Sequence, residues 1–392
     1  GMSARTAVHE YGGAAWWVRD GHTWFAEWAD QRLYRLVAGE PAQALTPEPL
    51  LPRGDRYADG DVAPDGESIV CVREHHAGPS ATEVRNEVVR LAAHRPSTPE
   101  VLVSGPDFVA APRLSPDGST LAWLQWNHPG MPWDATELVV RDLASGEETV
   151  VAGGRGESVS EPRWHPDGSL WFVSDRSQWW NLYRWVPGAD IEAVVVTEAE
   201  IAEPDWVLGP ARYAFLPGGA VVFARRAAGY DTLAVRAADG TTTDLDVGFS
   251  QVHAVRTTTD GAVVAVAGSP TSELGVYRID LGAPPRVRTL RAPRELRVDR
   301  GYLSVPEPVS FGSTDGDGAS RTAHALFYPP ANPDRTGREG ELPPLLVMIH
   351  GGPTSAASTV LNLGVQYWTS RGFAVVDVDY GGSTGYGRAY RE

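Results

Sequence analysis

Apolar residues fall in short runs along the first three quarters of the chain, each bounded by Gly, Asp or Pro. Residues 119–125 read STLAWLQ, 169–174 SLWFVS, 220–224 AVVFA and 262–267 AVVAVA. Each is followed by a second run, at 137–143, 181–185, 232–235 and 274–279, and 31–36 belongs to the same class. Runs this short, rich in Val, Trp, Tyr and Leu, predict strands. Few stretches before residue 350 carry a helical period. A turn dipeptide precedes these runs at a regular interval: Asp20-Gly21, Asp65-Gly66, Asp117-Gly118, Asp167-Gly168, Gly218-Gly219 and Asp260-Gly261. The spacings are 45, 52, 50, 51 and 42 residues. Three turns share the longer form Pro-Asp-Gly, in which Pro presets φ and Gly supplies the positive φ of a tight hairpin. Several short strands per repeat of ~40–50 residues is the pattern of a β-propeller blade. A β-sandwich is the plainer alternative, and six recurrences of the turn with its flanking strands favour the propeller.

The pattern changes near residue 300. The chain turns Pro- and Arg-rich after Asp280, and no further blade turn falls in register. A strand pair is predicted around a polar loop at 313–320, and a surface loop at 329–344. Leu345-Leu346-Val347-Met348-Ile349 then forms an unbroken apolar run, as does 373–379. Such runs suit strands buried on both faces of a mostly parallel sheet. A helix is expected between them, at 356–372. Strand, helix, strand indicates an α/β layer. We therefore expect a propeller at 1–300 and the opening of an α/β domain at 301–392.

Composition narrows the possibilities. The formal net charge is −16, and all 34 basic residues are Arg. Scattered Arg on an acidic chain disfavours nucleic-acid binding, which needs clustered positive charge. The single cysteine, Cys71, permits no intrachain disulfide and fits a reducing compartment. No apolar run reaches the length of a membrane span, so a cytoplasmic protein is expected. His75-His76 and His128 lack a third ligand at fixed spacing and read as loop residues; no metal and no cofactor is expected. Most of the 14 Trp are expected to pack between blades, Trp164 and Trp206 among them.

The run 345–349 ends in His350-Gly351-Gly352-Pro353. An apolar strand ending in His-Gly-Gly is the oxyanion-loop arrangement of α/β-hydrolases. Acyl transfer puts negative charge on the former carbonyl oxygen, and backbone N–H groups aimed there stabilise it. Glycine lets the backbone approach with no Cβ in the way. Gly352 is the expected donor, with His350 and Gly351 completing the loop.

The ordered set of an upstream propeller, HGGP at 350–353 and YGGSTGYG at 380–387 resembles the prolyl oligopeptidase family, in its acylaminoacyl-peptidase and dipeptidyl-aminopeptidase branch. HEYGG at 9–13, WNHPGMPWD at 126–134 and SDRSQWWNLYRW at 174–185 resemble that branch too. The resemblance implies an all-β propeller, of about seven blades in the family and six here, followed by an α/β-hydrolase domain. It also implies a serine peptidase acting through an acyl-enzyme, with substrate gated and bound by the propeller. No Gly-x-Ser-x-Gly run is expected in this chain, and the resemblance places the Ser, Asp and His of the family's triad beyond Glu392, so this chain alone is expected to be inactive, shortened at both ends relative to the family.

The expected substrates are small peptides or aminoacyl amides, cut near the N-terminus. Glu161-Pro162 and Glu203-Pro204 recur in adjacent repeats, ahead of the blade turn, where inner strands are expected. The preceding repeat has Ala111-Pro112 there, so a blade does not require the carboxylate. Glu161 and Glu203, with Glu200 as a further candidate, are expected to bind a free α-amino group. Solvent exposure or pairing with Arg is the alternative for them. Acylaminoacyl peptidase, dipeptidyl peptidase and a non-catalytic binding propeller remain the other readings of the whole. A homo-oligomer, or association with a separate catalytic part, is compatible with all of them.

Overall fold

The computed structural model describes residues 1–78, 80–314, 318, 320–352 and 354–392. These form seven four-stranded sheets. Six are antiparallel meanders, spanning 16–44, 55–103, 108–153, 159–195, 213–245 and 251–291, and they are the blades of a β-propeller. In every blade the repeated dipeptide joins the first strand to the second. Its chemistry is local. The Asp117 carboxylate accepts the Ser115 hydroxyl at 2.6 Å and the Ser119 N–H at 3.0 Å, while Gly118 sits at φ 73°. Those hydrogen bonds, led by that of Ser115, pull the Asp117 carboxyl down to about 2.

The chain groups into two compact units. One comprises 1–176, 182–196 and 205–210; the other comprises 177–181, 197–204 and 211–392. The first unit is filled by side chains such as Leu121, Trp123, Leu138 and Phe172, with a second cluster of Trp24, Tyr57, Ile69 and Leu91. The second unit packs Val222, Leu233, Val263 and Ile279 between its blades, and Leu326, Tyr328, Val365 and Val375 under its α/β part.

A feature not visible in the periodicity is a bulge in the first strand of the blades. Six residues ahead of the turn, Ala14, Asp59, Ala111, Glu161 and Ala254 adopt φ of 41°, 52°, 49°, 52° and 51°. The pairing register breaks at this point in four blades. A left-handed residue in a bulge sharpens the bend and frees its N–H from the hairpin ladder. Within the first unit the freed groups bond across neighbouring blades: the Asp59 N–H donates to the Ala14 carbonyl, and the Ala111 N–H to the Asp59 carboxylate, both at 2.9 Å.

The seventh sheet runs in the order Glu307–Thr314, Ser320–Tyr328, Ala374–Asp379, Leu345–Ile349, the last two parallel. Of the predicted polar loop at 313–320, residues 315–317 and 319 lie outside the described residues. Ala374–Asp379 is central, with Ala374, Val375 and Asp379 buried and residues 376–378 partly exposed, less buried than its pattern predicts. Leu345–Ile349 is not buried on both faces; it forms the sheet's edge, with Val347 and Ile349 about two-thirds exposed. The helix covers Leu363–Thr369, shorter than 356–372. Asn362 caps it, its side chain accepting the Gly364 and Val365 N–H groups, and the chain breaks out at Gly372 with φ 88°.

Candidate functional site

The loop after Leu345–Ile349 places His350, Gly351 and Gly352 beside the segment that follows Ala374–Asp379; Pro353 lies outside the described residues. The Tyr380 ring stacks on His350 at 4.6 Å, and its hydroxyl donates to the His350 carbonyl at 3.3 Å. His350 Nδ1 donates to the Gly351 carbonyl at 2.8 Å. Nε2 lies 2.7 Å from the Ser383 hydroxyl. A Cβ on Gly352 would come within 2.9 Å of the Thr354 nitrogen and 3.3 Å of the Tyr380 hydroxyl, so this position admits only glycine without displacement. Asp379 anchors both segments: its carboxylate accepts the Ala357 N–H at 2.7 Å and the Tyr386 hydroxyl at 2.8 Å. Burial pushes the Asp379 carboxyl above the usual range despite these donors.

Ser383 corrects one expectation. The run Gly381-Gly382-Ser383-Thr384-Gly385 does spell Gly-x-Ser-x-Gly. It is not a nucleophile elbow. An elbow is a sharp strand-to-helix turn that presents the hydroxyl at the surface. Ser383 instead lies four residues beyond its strand, five before the short helix Arg388–Arg391, and is fully buried. A triad carboxylate also belongs on the imidazole nitrogen that does not face the serine. Here Asp379 lies 3.8 Å from Nε2, the same nitrogen that Ser383 occupies. The signal that finds Ser383 is the motif itself; its geometry assigns it to the loop's support.

The three glutamates have three different environments. Glu161 is the bulge residue of the fourth blade, on the strand Val159–Trp164, with its side chain wholly buried and Arg163 at 3.5 Å. Glu203 is on no strand: it lies in the connection before Tyr213–Phe215, 15 residues ahead of Gly218, whereas Glu161 is six ahead of Asp167. The two Glu-Pro pairs are thus not at equivalent places, and neither are Trp164 and Trp206. The residue equivalent to Glu161 in the fifth blade is Arg212. Glu203 belongs to a charge cluster with Arg226 at 3.1 Å, His253 Nδ1 at 3.0 Å and Arg212 at 3.9 Å. Burial opposes its ionisation, but Arg212 and Arg226 outweigh that and hold the carboxyl well below the usual range. Asp231 completes the cluster, accepting from Arg212 at 2.8 and 3.0 Å, from Arg226 at 3.0 Å and from the Val252 N–H at 2.8 Å. Glu200 is buried, and its carboxylate accepts the Trp180 N–H at 2.8 Å and the Gly387 N–H at 3.1 Å.

His75 and His76 end the strand Ser68–His76 and are not loop residues; they pair with Asp55 at 2.6 Å and Glu74 at 2.7 Å. Among the described residues no group of three His, Cys, Asp or Glu is disposed to hold a metal. No helix among them is long and apolar enough to cross a membrane. Trp164 does pack in the blade core, its indole N–H donating to the Arg113 carbonyl at 3.1 Å. Trp206 instead lines a cavity of the first unit, against Trp133 at 4.4 Å between ring centroids.

No family model matches the chain. Solved structures do. A puromycin-hydrolysing peptidase of Mycobacterium tuberculosis superposes on the whole chain with a TM-score of 0.89 at 38% identity. A puromycin hydrolase does so with a TM-score of 0.89 at 36% identity. A prolyl endopeptidase structure at 13% identity shares the fold, with a TM-score of 0.61 over 99% of the chain. The chain spans 61% of the length of the two puromycin-hydrolysing proteins. Dipeptidyl-peptidase 5 of Porphyromonas gingivalis is 27% identical over 153 residues, 38% of this chain and 21% of that protein. The relatives are peptidases, and the resemblance to the prolyl oligopeptidase family carried by the motifs holds over the full chain. The fold is that family's β-propeller followed by the first part of its α/β-hydrolase domain.

Proposed function

We propose that this chain belongs to a serine exopeptidase that releases N-terminal residues from small peptides or aminoacyl amides through an acyl-enzyme. The observation that carries the reading is the likeness of all 392 residues to 61% of the length of puromycin-hydrolysing peptidases, together with the His350-Gly351-Gly352 loop at the end of a parallel strand. In this reading the Gly352 N–H stabilises the oxyanion of the tetrahedral intermediate, and His350 and Tyr380 hold the loop in shape. In this reading the attacking serine is not Ser383. No cofactor is required, because acyl transfer by serine needs only a base, an orienting carboxylate and oxyanion donors.

Aminopeptidase action accords with the puromycin-hydrolysing relatives, whose likeness is closer and longer than that of the dipeptidyl peptidases. Of the three glutamates proposed to bind a free amine, Glu161 suits the task best. Glu203 already faces guanidinium groups, and Glu200 caps backbone N–H groups. The test is kcat/KM of the complete gene product on phenylalanine p-nitroanilide and its N-acetyl analogue. Preference for the free amine supports the aminopeptidase reading. Preference for the acetylated substrate supports an acylaminoacyl peptidase, and no hydrolysis of either overturns the proposal in favour of a binding propeller.

A further inference from the structure

We propose that the outer edge of the sixth blade is a docking site for an extended acidic peptide, which adds there as a fifth strand. The outer strand of this blade is Arg286–Arg291, exposed along its whole length and last in its sheet. Among the described residues no further strand pairs with it, so the backbone groups on its free side are open to another chain. The sister blades set the rule from which this edge departs. In the second, third and fourth blades an acid on the outer strand lies directly opposite an Arg on the third strand: Glu100 opposite Arg90, Glu148 opposite Arg141 and Glu192 opposite Arg184. The charged groups of these pairs lie 2.8, 2.9 and 3.8 Å apart. In the fifth blade the outer-strand acid Asp244 pairs with Arg225 at 2.9 Å, and in the first blade the outer strand Gln43–Ala44 carries no charge. Among these six outer strands, only that of the sixth blade carries Arg and no acid.

Three guanidinium side chains share one face of this strand. Directly opposed residues point to the same side of a sheet, and alternate residues along a strand share a side. Arg286 lies opposite Asp280, Arg288 opposite Arg278 and Arg291 opposite Val276, so all three stand on the side of residues 276, 278 and 280. In a regular strand Arg291 would face the other way. The register shift between Val276 and Tyr277 takes up Leu290 as an extra residue and turns Arg291 onto the face of the other two. Arg288 is set against a like charge, an arrangement that costs stability. The nearby acids are committed to Arg278, which pairs with Asp280 at 2.7 Å and Asp260 at 2.6 Å. Arg286, Arg288 and Arg291 form no ion pair with any described residue. Charge on an edge strand deters pairing with other chains, and a single sign decides which chains are deterred. This edge repels a basic strand and attracts an acidic one. It offers the next position outward the residue type that third strands of the sister blades offer their acidic neighbours. An extended peptide with acids at alternate positions matches it, because its same-face side chains repeat every ~7 Å, as those of the strand do. Backbone pairing holds such a peptide and the alternate side chains select it. Val287, exposed on the opposite side, contacts the residues between the acids. The inference rests on this blade alone and is independent of the peptidase reading.

The experiment is fluorescence anisotropy of labelled peptides titrated with the 392-residue chain. The probes are Thr-Glu-Val-Glu-Val-Glu-Thr, its counterpart with Lys for Glu, and the acidic peptide on a fully N-methylated backbone, which cannot donate to a strand edge. Saturable binding is expected for the first, weakening by about tenfold or more between about 50 and about 500 mM salt. The Lys peptide shows no detectable binding, and the N-methylated peptide binds about tenfold more weakly or less. Arg288→Glu recreates the acid opposite Arg that three sister blades already build, so it retains the fold, and affinity for the acidic peptide falls by about tenfold or more. The proposal is overturned if the acidic peptide does not bind, if the Lys or the N-methylated peptide binds equally well, or if Arg288→Glu keeps full affinity. Binding of single-stranded oligothymidylate in place of the acidic peptide would overturn it in favour of a nucleic-acid site.

Discussion

Each compact unit buries carboxylates, and it handles them in opposite ways. In the second unit Asp231 and Glu203 sit among Arg212, Arg226 and His253, so the charges are matched within a few ångströms and the groups are locked to one another. In the first unit Asp59 and Glu161 line a cavity walled by aromatic rings, on backbone that tolerates alanine. The second unit joins several charges in one cluster, whereas the first pairs these acids with one arginine each, Asp59 with Arg113 at 2.7 Å and Glu161 with Arg163 at 3.5 Å. The Glu-Pro dipeptide occurs in both, so the dipeptide does not determine the role. What decides is the register relative to the bulge and the number of guanidinium groups within reach.

Breaking the matched cluster has the largest expected effect. Asp231→Ala leaves two guanidiniums buried without their main counter-charge and the Val252 N–H without an acceptor. A loss of ~3–5 kcal/mol in urea unfolding is expected, the usual consequence of removing one partner from a buried ion pair. A loss below about 1 kcal/mol would show the cluster to be solvated. The pH dependence sharpens the same contrast. Glu203 has a folded pKa held below its unfolded value, so its stabilisation is complete above the unfolded pKa and is lost as pH falls toward the folded one. Thermal melts of Glu203→Gln should therefore show a shallower loss of stability below about pH 4.5 than the parent chain. Parallel acid limbs would contradict the assignment. The smallest effect is expected at Glu161→Ala, which should change unfolding free energy by less than about 1 kcal/mol because the residue enters a conformation its sister blades already build with alanine. A loss as large as that of Asp231→Ala would make Glu161 architectural too.

The blades were legible because their signal is local. An Asp whose side chain bonds two residues on, followed by a Gly at positive φ, makes the same turn wherever it falls, and the strand pattern follows from it. The loop at His350-Gly351-Gly352 was legible for a similar reason, since a strand, a sharp turn and two glycines are contiguous. What the sequence hid depends on register and on distant partners. Glu203 resembles Glu161 only if the connection before the fifth blade is ignored; its displacement by nine residues puts it against Arg226 rather than in a bulge. The bulges carry no residue signature beyond Ala, Asp or Glu, and the cross-blade hydrogen bonds that accompany them, such as that from Asp59 to Ala14, join residues far apart in the chain. The exposed edge at Leu345–Ile349 is equally illegible, since an apolar run reports what a strand can be buried against and not whether a neighbour is there. Ser383 is the converse case, where a motif is legible and its geometry denies the role.

The account stands most directly on where the reactive serine is. Intact-mass measurement of the 392-residue chain after incubation with a fluorophosphonate decides it. The account predicts an unchanged mass, because Ser383 is buried and held by His350 away from any elbow. A stoichiometric adduct that disappears in Ser383→Ala would contradict it and make Ser383, with His350, the catalytic pair of this chain.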